Sequence, residues 1–365
     1  MQGRRQFLTG LSLGAAAGLV APALADPAPE VEWRISSSFN ASLDLIGAGQ
    51  QVLARTLADI TDGRFRLKFS APGEIAPASE ALKAVSEGKA EGAHTALSYA
   101  WSEDPSFIFA TATPFGMNAR QHSAWLAEGG GGAMIDEMLT DHKSLAIPAG
   151  NTGGQMAGWF RKEIKTPQDF QGLKMRVGGF AGKIFQTMGA EPVSMPREAV
   201  YAALQGGALD MIEWVGPYDD EKFGQPLAKV APNYYYPGFW KGGMQLHLLV
   251  SREKYEALPK TWQSALRAAC ATADSAMLAK YDAANPGAVK RLVVGGASLR
   301  LFPQEVLEAC YKTANDLYDQ LGADNPRFRK LADSYLGFRS DQYLWWQVAE
   351  YSFDNFMIRQ RHAKT

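Results

Sequence analysis

Residues 170–216, FQGLKMRVGGFAGKIFQTMGAEPVSMPREAVYAALQGGALDMIEWVG, decide how this chain is read. They open on a short apolar run, Leu173 to Val177, broken by one cation, Arg176, and followed at once by Gly178 and Gly179. An arginine at a strand end, facing a glycine-opened helix start, is a carboxylate trap. Its planar donor fork matches two carboxylate oxygens, and the helix terminus adds unpaired N–H groups and a favourable dipole. A second apolar run, Ala208 to Val215, carries Glu213 and Trp214 near its end. Two such strands side by side bring a cation, an acid and an aromatic face to one cleft.

Upstream, Val31 to Ser36 alternates as a first strand with Phe39 and Asn40 at its end, and residues 42–62 show helical spacing that stops at Asp62-Gly63. Arg64 to Phe69 alternates again, a helix over 78–88 ends at Gly88, and a strand from Gly92 to Ala96 leads to Tyr99 and Trp101. This β-α-β-α-β rhythm implies a largely parallel sheet covered by helices, with ligands beyond the strand carboxyl ends, where Phe39, Asn40, Tyr99 and Trp101 fall. Pro114 to Gly116, with Phe115 between, opens a loop before a helix over 119–127. From Leu145 to Gly154 the rhythm restarts as a second domain would, with Gln155 at its start and Trp159-Phe160 on the next strand.

Downstream, the aromatic YYYPGFWKGG at 234–243 crosses back to the first domain, and Gln245 to Ser251 reads as another strand. A long helix over 261–283 stops at Asn285-Pro286-Gly287, followed by a strand over 298–302 and helices from 304. The last element, Asp341 to Arg361, sets Leu344, Trp345, Val348, Phe353 and Phe356 on one helix, more apolar surface than one amphipathic face needs. It either docks on its own domain or forms a dimer contact. The resulting division is an export signal over 1–25, domain I over 26–150 plus about 237–285, domain II over 151–236 plus about 286–338, and a C-terminal helix over 339–365.

The length of 365 residues and 46% hydrophobic content favour two domains. A net charge of −1 gives no basic footprint for nucleic acid. Arg4-Arg5 before an apolar run, with Ala23-Leu24-Ala25 closing it, reads as a twin-arginine export signal. No later run approaches the roughly 18 apolar residues of a membrane span, so the mature protein is expected in the periplasm. Cys270 and Cys310 show no pairing signature and are expected buried and unpaired.

Enzyme motifs fail. There is no G-x-S-x-G, H-E-x-x-H or C-x-x-C, and the glycines from Gly178 to Lys183 miss the phosphate-loop spacing, with Ile184 in place of the hydroxyl. The 5 histidines are scattered; His94 and His247 in strand-like runs read as structural. A binding chemistry remains. Arg176 is either a surface cation or, as its strand-end position favours, the ligand's, Glu213 is either the ion-pair partner of Arg176 or a ligand-site acid, and Gln155 is either a loop amide or a ligand-site one.

The succession GLKMRVGG, MGAEPVSMP, EAVYAALQGGALD and IEW, preceded by DITDGRFRLKFSAPGEIAP and EALKAVSEGKAEGAH, resembles the extracytoplasmic solute-binding proteins (DctP family) of tripartite ATP-independent periplasmic (TRAP) transporters. Through Gln155 and the Glu213-Trp214 pair it is most similar to their 2-oxo (α-keto) acid-binding branch, which includes the receptor TakP. The resemblance implies an α/β, two-domain periplasmic solute-binding protein fold with a hinge cleft and a long C-terminal helix. It implies a small 2-oxo acid held by Arg176, a TRAP membrane permease as partner, and a metal ion held by Gln155, Glu213 and the main chain of Trp214. A monocarboxylate beside Glu213 sets two negative charges against the one positive charge of Arg176, so one monovalent cation balances the site. Oxygen ligands suit sodium, with calcium next. Tyr99, Phe39, Phe115, Trp214 and Tyr218 are the expected apolar walls. A receptor for another small acid, such as lactate or a C4 acid, and a periplasmic lyase or hydrolase using Glu213 as base stay open.

Overall fold

The computed structural model describes residues 30–39 and 43–362, so the export-signal stretch and Asn40 lie outside the described residues. Eleven strands form among the described residues: β1 Val31–Ser37, β2 Phe65–Phe69, β3 Gly92–Thr95, β4 Ser144–Asn151, β5 Gly158–Phe160, β6 Lys174–Arg176, β7 Glu191–Pro192, β8 Met211–Ile212, β9 Asn233–Tyr236, β10 Gln245–Ser251 and β11 Ser298–Leu301. They build two sheets, β2-β1-β3-β10-β4 and β11-β9-β5-β8-β6-β7, one for each α/β domain. In the first, β1 runs parallel to β2 and β3, as the crossover rhythm requires, whereas β10 is antiparallel to both its neighbours. The alternation of β1 sends Trp33 and Ile35 into a core with Leu53, Leu57, Phe65 and Leu67. Cys270 and Cys310 are both free and buried.

Three expectations are corrected. The strand after Leu145 does not open the second domain; β4 closes the first sheet beside β10. Its buried apolar run identifies a strand covered on both faces but not the sheet it joins. The long helix does not stop at Asn285-Pro286-Gly287 but runs unbroken from Lys260 to Val294 with Pro286 inside. A mid-helix proline costs about 3 kcal/mol. Burial at both ends offsets it, because Leu266, Ala269, Cys270 and Ala273 pack in the first domain's core and Leu292 packs against the second's. Finally, the helix Pro326–Trp346 lays Phe328, Leu331, Ala332 and Tyr335 into the first-domain core with Phe107, Phe109 and Trp125, so residues from 326 do not belong with the second sheet.

That helix continues through a wider turn at Gln347–Tyr351 into Ser352–His362. The junction is tied down by Arg120, which sits 4.2 Å over the Trp346 ring and 2.6 Å from Glu350. Beyond it Leu344, Val348 and Phe353 are 70%, 69% and 62% exposed, so this face does not dock on its own domain.

The second sheet demands glycine at one point. Gly158 on β5 has φ +106°, and a Cβ there would lie 2.2 Å from the carbonyl oxygen of Ile212 on β8. Gly158→Ala is expected to remove on the order of 2–4 kcal/mol of stability, from left-handed strain plus the clash. Urea unfolding followed by circular dichroism measures it; an unchanged midpoint would show that the pairing tolerates a side chain.

Candidate ligand-binding cleft

Register brings the two decisive segments together. β6 and β8 pair in parallel with Arg176 opposite Ile212, so Glu213 emerges one residue beyond, and its N–H donates to the Arg176 carbonyl at 3.1 Å. The Arg176 side chain is pinned in turn: Nε donates to Met195 O at 3.0 Å and Nη1 to Glu213 O at 3.0 Å, with its guanidinium carbon 5.4 Å from the Trp214 ring centre. Nη2 has no partner among the described residues. A guanidinium whose plane is fixed by two main-chain acceptors has lost its rotamer freedom before any ligand arrives.

Arg176 lines a cavity of about 290 Å³ between the domains. Phe39, Ser98 and Tyr99 face it from the first domain, and Gly178, Gly179, Glu213 and Trp214 from the second. Phe39 and Tyr99 meet with ring centres 6.2 Å apart. Desolvation, reinforced by the Glu213 charge and opposed by Arg176, pushes the Tyr99 hydroxyl up to about 12, so it stays a proton donor. Gln155 lies one layer behind. It is 7% exposed, its Nε2 donates to Thr152 Oγ1 at 3.0 Å, and its buried Oε1 has no hydrogen-bond partner among the described residues. Its N–H donates to Lys241 O, and the next N–H to Val215 O, both at 3.2 Å, which sets Gln155 between the crossover and the Glu213-Trp214 turn.

Glu213 settles one alternative. Its carboxylate does not pair with Arg176, which takes the main-chain oxygen instead; Glu213 Oε1 accepts from Lys241 Nζ at 2.5 Å. Lys241 sits in the YYYPGFWKGG crossing and carries no motif that separates it from a surface lysine, so the sequence reading passed over it. It also corrects the charge count. The cavity holds two cations, Arg176 and Lys241, against one acid, and is positive by one before a ligand enters.

Two expected wall residues lie elsewhere. Phe115 stacks on Phe239 at 4.5 Å and its N–H donates to Phe239 O at 2.6 Å, which packs it beneath the crossover rather than on the cavity. Tyr218 is carried outward by the short helix Pro217–Glu221. Its hydroxyl donates to Asp44 Oδ2 at 3.1 Å, and Lys222 Nζ reaches the same oxygen at 2.7 Å, a polar strap from the second domain to the first. His94, His122 and His247 are buried, and desolvation lowers them to about 4, 4 and 3, which keeps them neutral. No group of three or more His, Cys, Asp or Glu able to hold a metal exists among the described residues. The donors on offer at the cleft are therefore oxygens, the Glu213 carboxylate and the unpartnered Gln155 Oε1.

Over residues 36–325 the chain matches the model of the bacterial extracellular solute-binding proteins, family 7. The chain belongs to that family. It is 40% identical over 328 residues, 90% of this chain and 89% of the other, to a monocarboxylate 2-oxoacid-binding periplasmic protein of Nostoc sp. PCC 7120. Among solved structures it is similar to a TRAP transporter solute-binding protein of Bordetella bronchiseptica RB50, a mixed-occupancy dimer with calcium and picolinate in one site (TM-score 0.87, 38% identity, 92% of this chain and 100% of that one). It is likewise similar to a TRAP solute-binding protein of Pseudoalteromonas atlantica T6c with bound sodium and pyruvate (TM-score 0.83, 30% identity, 89% and 98%). This family 7 member is an extracytoplasmic receptor and not an enzyme, which removes the lyase and hydrolase reading. No helix among the described residues is long and apolar enough to cross a membrane.

Behind Trp214, two consecutive carboxyls are buried. Asp220 accepts from Trp159 Nε1 at 2.9 Å, Tyr234 Oη at 2.8 Å and Val215 N at 3.1 Å, while burial raises it to about 6 and Asp219 to about 7. Acids raised in the folded state bind more protons there than when unfolded, so the contribution of this pair to stability is fully present below about pH 4 and is lost as pH rises to about 7. Asp219→Asn is expected to flatten this decline and to gain on the order of 1–3 kcal/mol at pH 8. Urea titrations from pH 5 to pH 8 check it; parallel profiles for the two proteins would contradict it.

Proposed function

We propose that the cleft captures a small 2-oxo monocarboxylate of pyruvate size together with a hard cation, closes over both, and presents the acid to a TRAP membrane permease. The observation that carries this reading is the pinned guanidinium of Arg176, whose Nη2 has no partner among the described residues, lining a positively charged cavity. At about 290 Å³ the cavity sits at the lower limit of ligand pockets, roughly 300–1,000 Å³, which favours an acid of few heavy atoms over a sugar acid. The Tyr99 hydroxyl adds a donor for the second functional group, and Phe39 and Trp214 supply apolar walls.

The cation fits the donor set. Gln155 Oε1 is a buried acceptor without a donor among the described residues, and such an atom is costly unless something fills it. Gln155, the Glu213 carboxylate and the Trp214 carbonyl would hold the ion, with sodium first and calcium second as hard ions for oxygen ligands. When bound, it would supply positive charge beside Glu213 and the captured acid. Ligand contacts from Tyr99 on one domain and Arg176 on the other favour the closed state, which the Asp44–Lys222 strap also spans. The residues Arg4-Arg5 and Ala23-Leu24-Ala25 support export through a signal over 1–25. The uncovered apolar face of the terminal helix supports a homodimer.

Arg176→Ala is expected to weaken pyruvate and other small carboxylates alike by about 100-fold, the scale of a lost charge-assisted fork. Glu213→Gln is expected chiefly to weaken the dependence on sodium or calcium. Titration calorimetry with pyruvate at varied cation concentration separates the two effects. Undiminished binding by Arg176→Ala would overturn the reading.

A further inference from the structure

Lys241 stands on the carboxylate that the cation needs. Its Nζ lies 2.5 Å from Glu213 Oε1, both residues line the cavity, and the Glu213 side chain is only 9% exposed. The backbone fixes this meeting from both sides. Lys241 N donates to Gly238 O at 2.9 Å and Lys241 O accepts from Gln155 N at 3.2 Å. The next two residues are glycines pressed on the first domain, where a Cβ would lie 2.8 Å from Met117 O at Gly242 and 2.9 Å from Ala119 N at Gly243. Glu213 is held in its turn by the reciprocal bonds to Arg176. These bonds fix the two main chains and leave the Lys241 side chain, 26% exposed, and the Glu213 carboxylate to part from each other.

A metal ion on Glu213 and an ammonium on the same carboxylate repel each other, so they compete for it. We propose that Lys241 is a tethered occupant of the cation site. It neutralises Glu213 when no ion is bound, yields the carboxylate to an incoming ion, and then offers its ammonium to the acid, so that ion and acid bind with positive coupling. The proposal rests on the reading of Glu213 as a cation ligand. The charge count gives its consequence. With Lys241 present, Arg176 and Lys241 against Glu213 leave one positive charge, which a single carboxylate cancels, and the acid retains binding without any ion. Without Lys241, Arg176 and Glu213 cancel each other, and the acid needs a cation to avoid a buried net negative charge. Lys241 thus decides whether the ion assists binding or is obligatory.

The test uses the mature protein and its Lys241→Met and Lys241→Arg variants, each checked for an unchanged circular dichroism spectrum. Calcium is titrated alone, and pyruvate is titrated in chelated, sodium-free buffer. Lys241→Met is expected to bind calcium about 10-fold more tightly than wild type and to bind pyruvate without ions about 10-fold more weakly, within the usual range of coupling between sites. Lys241→Arg, which keeps the charge, is expected to follow wild type in the ion-free pyruvate titration. Equal or weaker calcium binding by Lys241→Met, in a series where calcium still strengthens pyruvate binding to wild type, overturns the role of Lys241 and leaves the cation reading standing. A wild type whose pyruvate affinity ignores both ions overturns the cation reading and this proposal with it.

Discussion

The reciprocal bonding of Arg176 and Glu213 holds the cleft together. The Glu213 N–H donates to the Arg176 carbonyl, and Arg176 Nη1 donates back to the Glu213 carbonyl, so the ends of two parallel strands lock each other. The lock uses the acid's main chain and leaves its carboxylate for other partners. A direct Arg176–Glu213 ion pair would have spent the guanidinium's fork on the protein's own acid.

Around this lock the rest of the fold acts as positioning. β5 supports β8 from the other side through a glycine that no side chain can replace without strain. The chain passes between the two sheets at β4 to β5, at β9 to β10, and along Lys260–Val294. Connections of this kind let two domains swing without losing register, and a ligand that touches both biases the swing. The strap from Asp44 to Tyr218 and Lys222 lies exposed at the rim, where ion pairs are worth little individually. It therefore sets alignment more than closing energy.

Much of this was legible in the sequence because local periodicity is a local property. The alternation of Val31 to Ser36, the helical spacing over 119–127 and the Arg176 strand end all read correctly. So did the neighbourhood of Arg176 and Glu213, where β8 pairs in parallel with β6 although the two-residue β7 lies between them in the chain. What failed was decided at long range. Nothing in the apolar run of β4 states which sheet it joins, and Pro286 marks a helix end only where no packing across two cores outweighs it. The Pro326–Trp346 helix reads as amphipathic whichever domain it covers. Lys241 was hidden for a related reason: a lysine in an aromatic crossing becomes a site residue only when folding carries it to Glu213, 28 positions away. Phe115 and Tyr218 show the converse, aromatic residues near the decisive segments whose backbones turn them aside.

A crystal structure of the chain grown with pyruvate and calcium tests the central claim most directly. The expected result is a closed cleft with the acid's carboxylate on the guanidinium of Arg176, the ion on Gln155 Oε1 and the Glu213 carboxylate, and the ammonium of Lys241 moved from Glu213 to the acid. Pyruvate bound away from Arg176, or seated beside an undisturbed Lys241–Glu213 pair with no ion present, would contradict it.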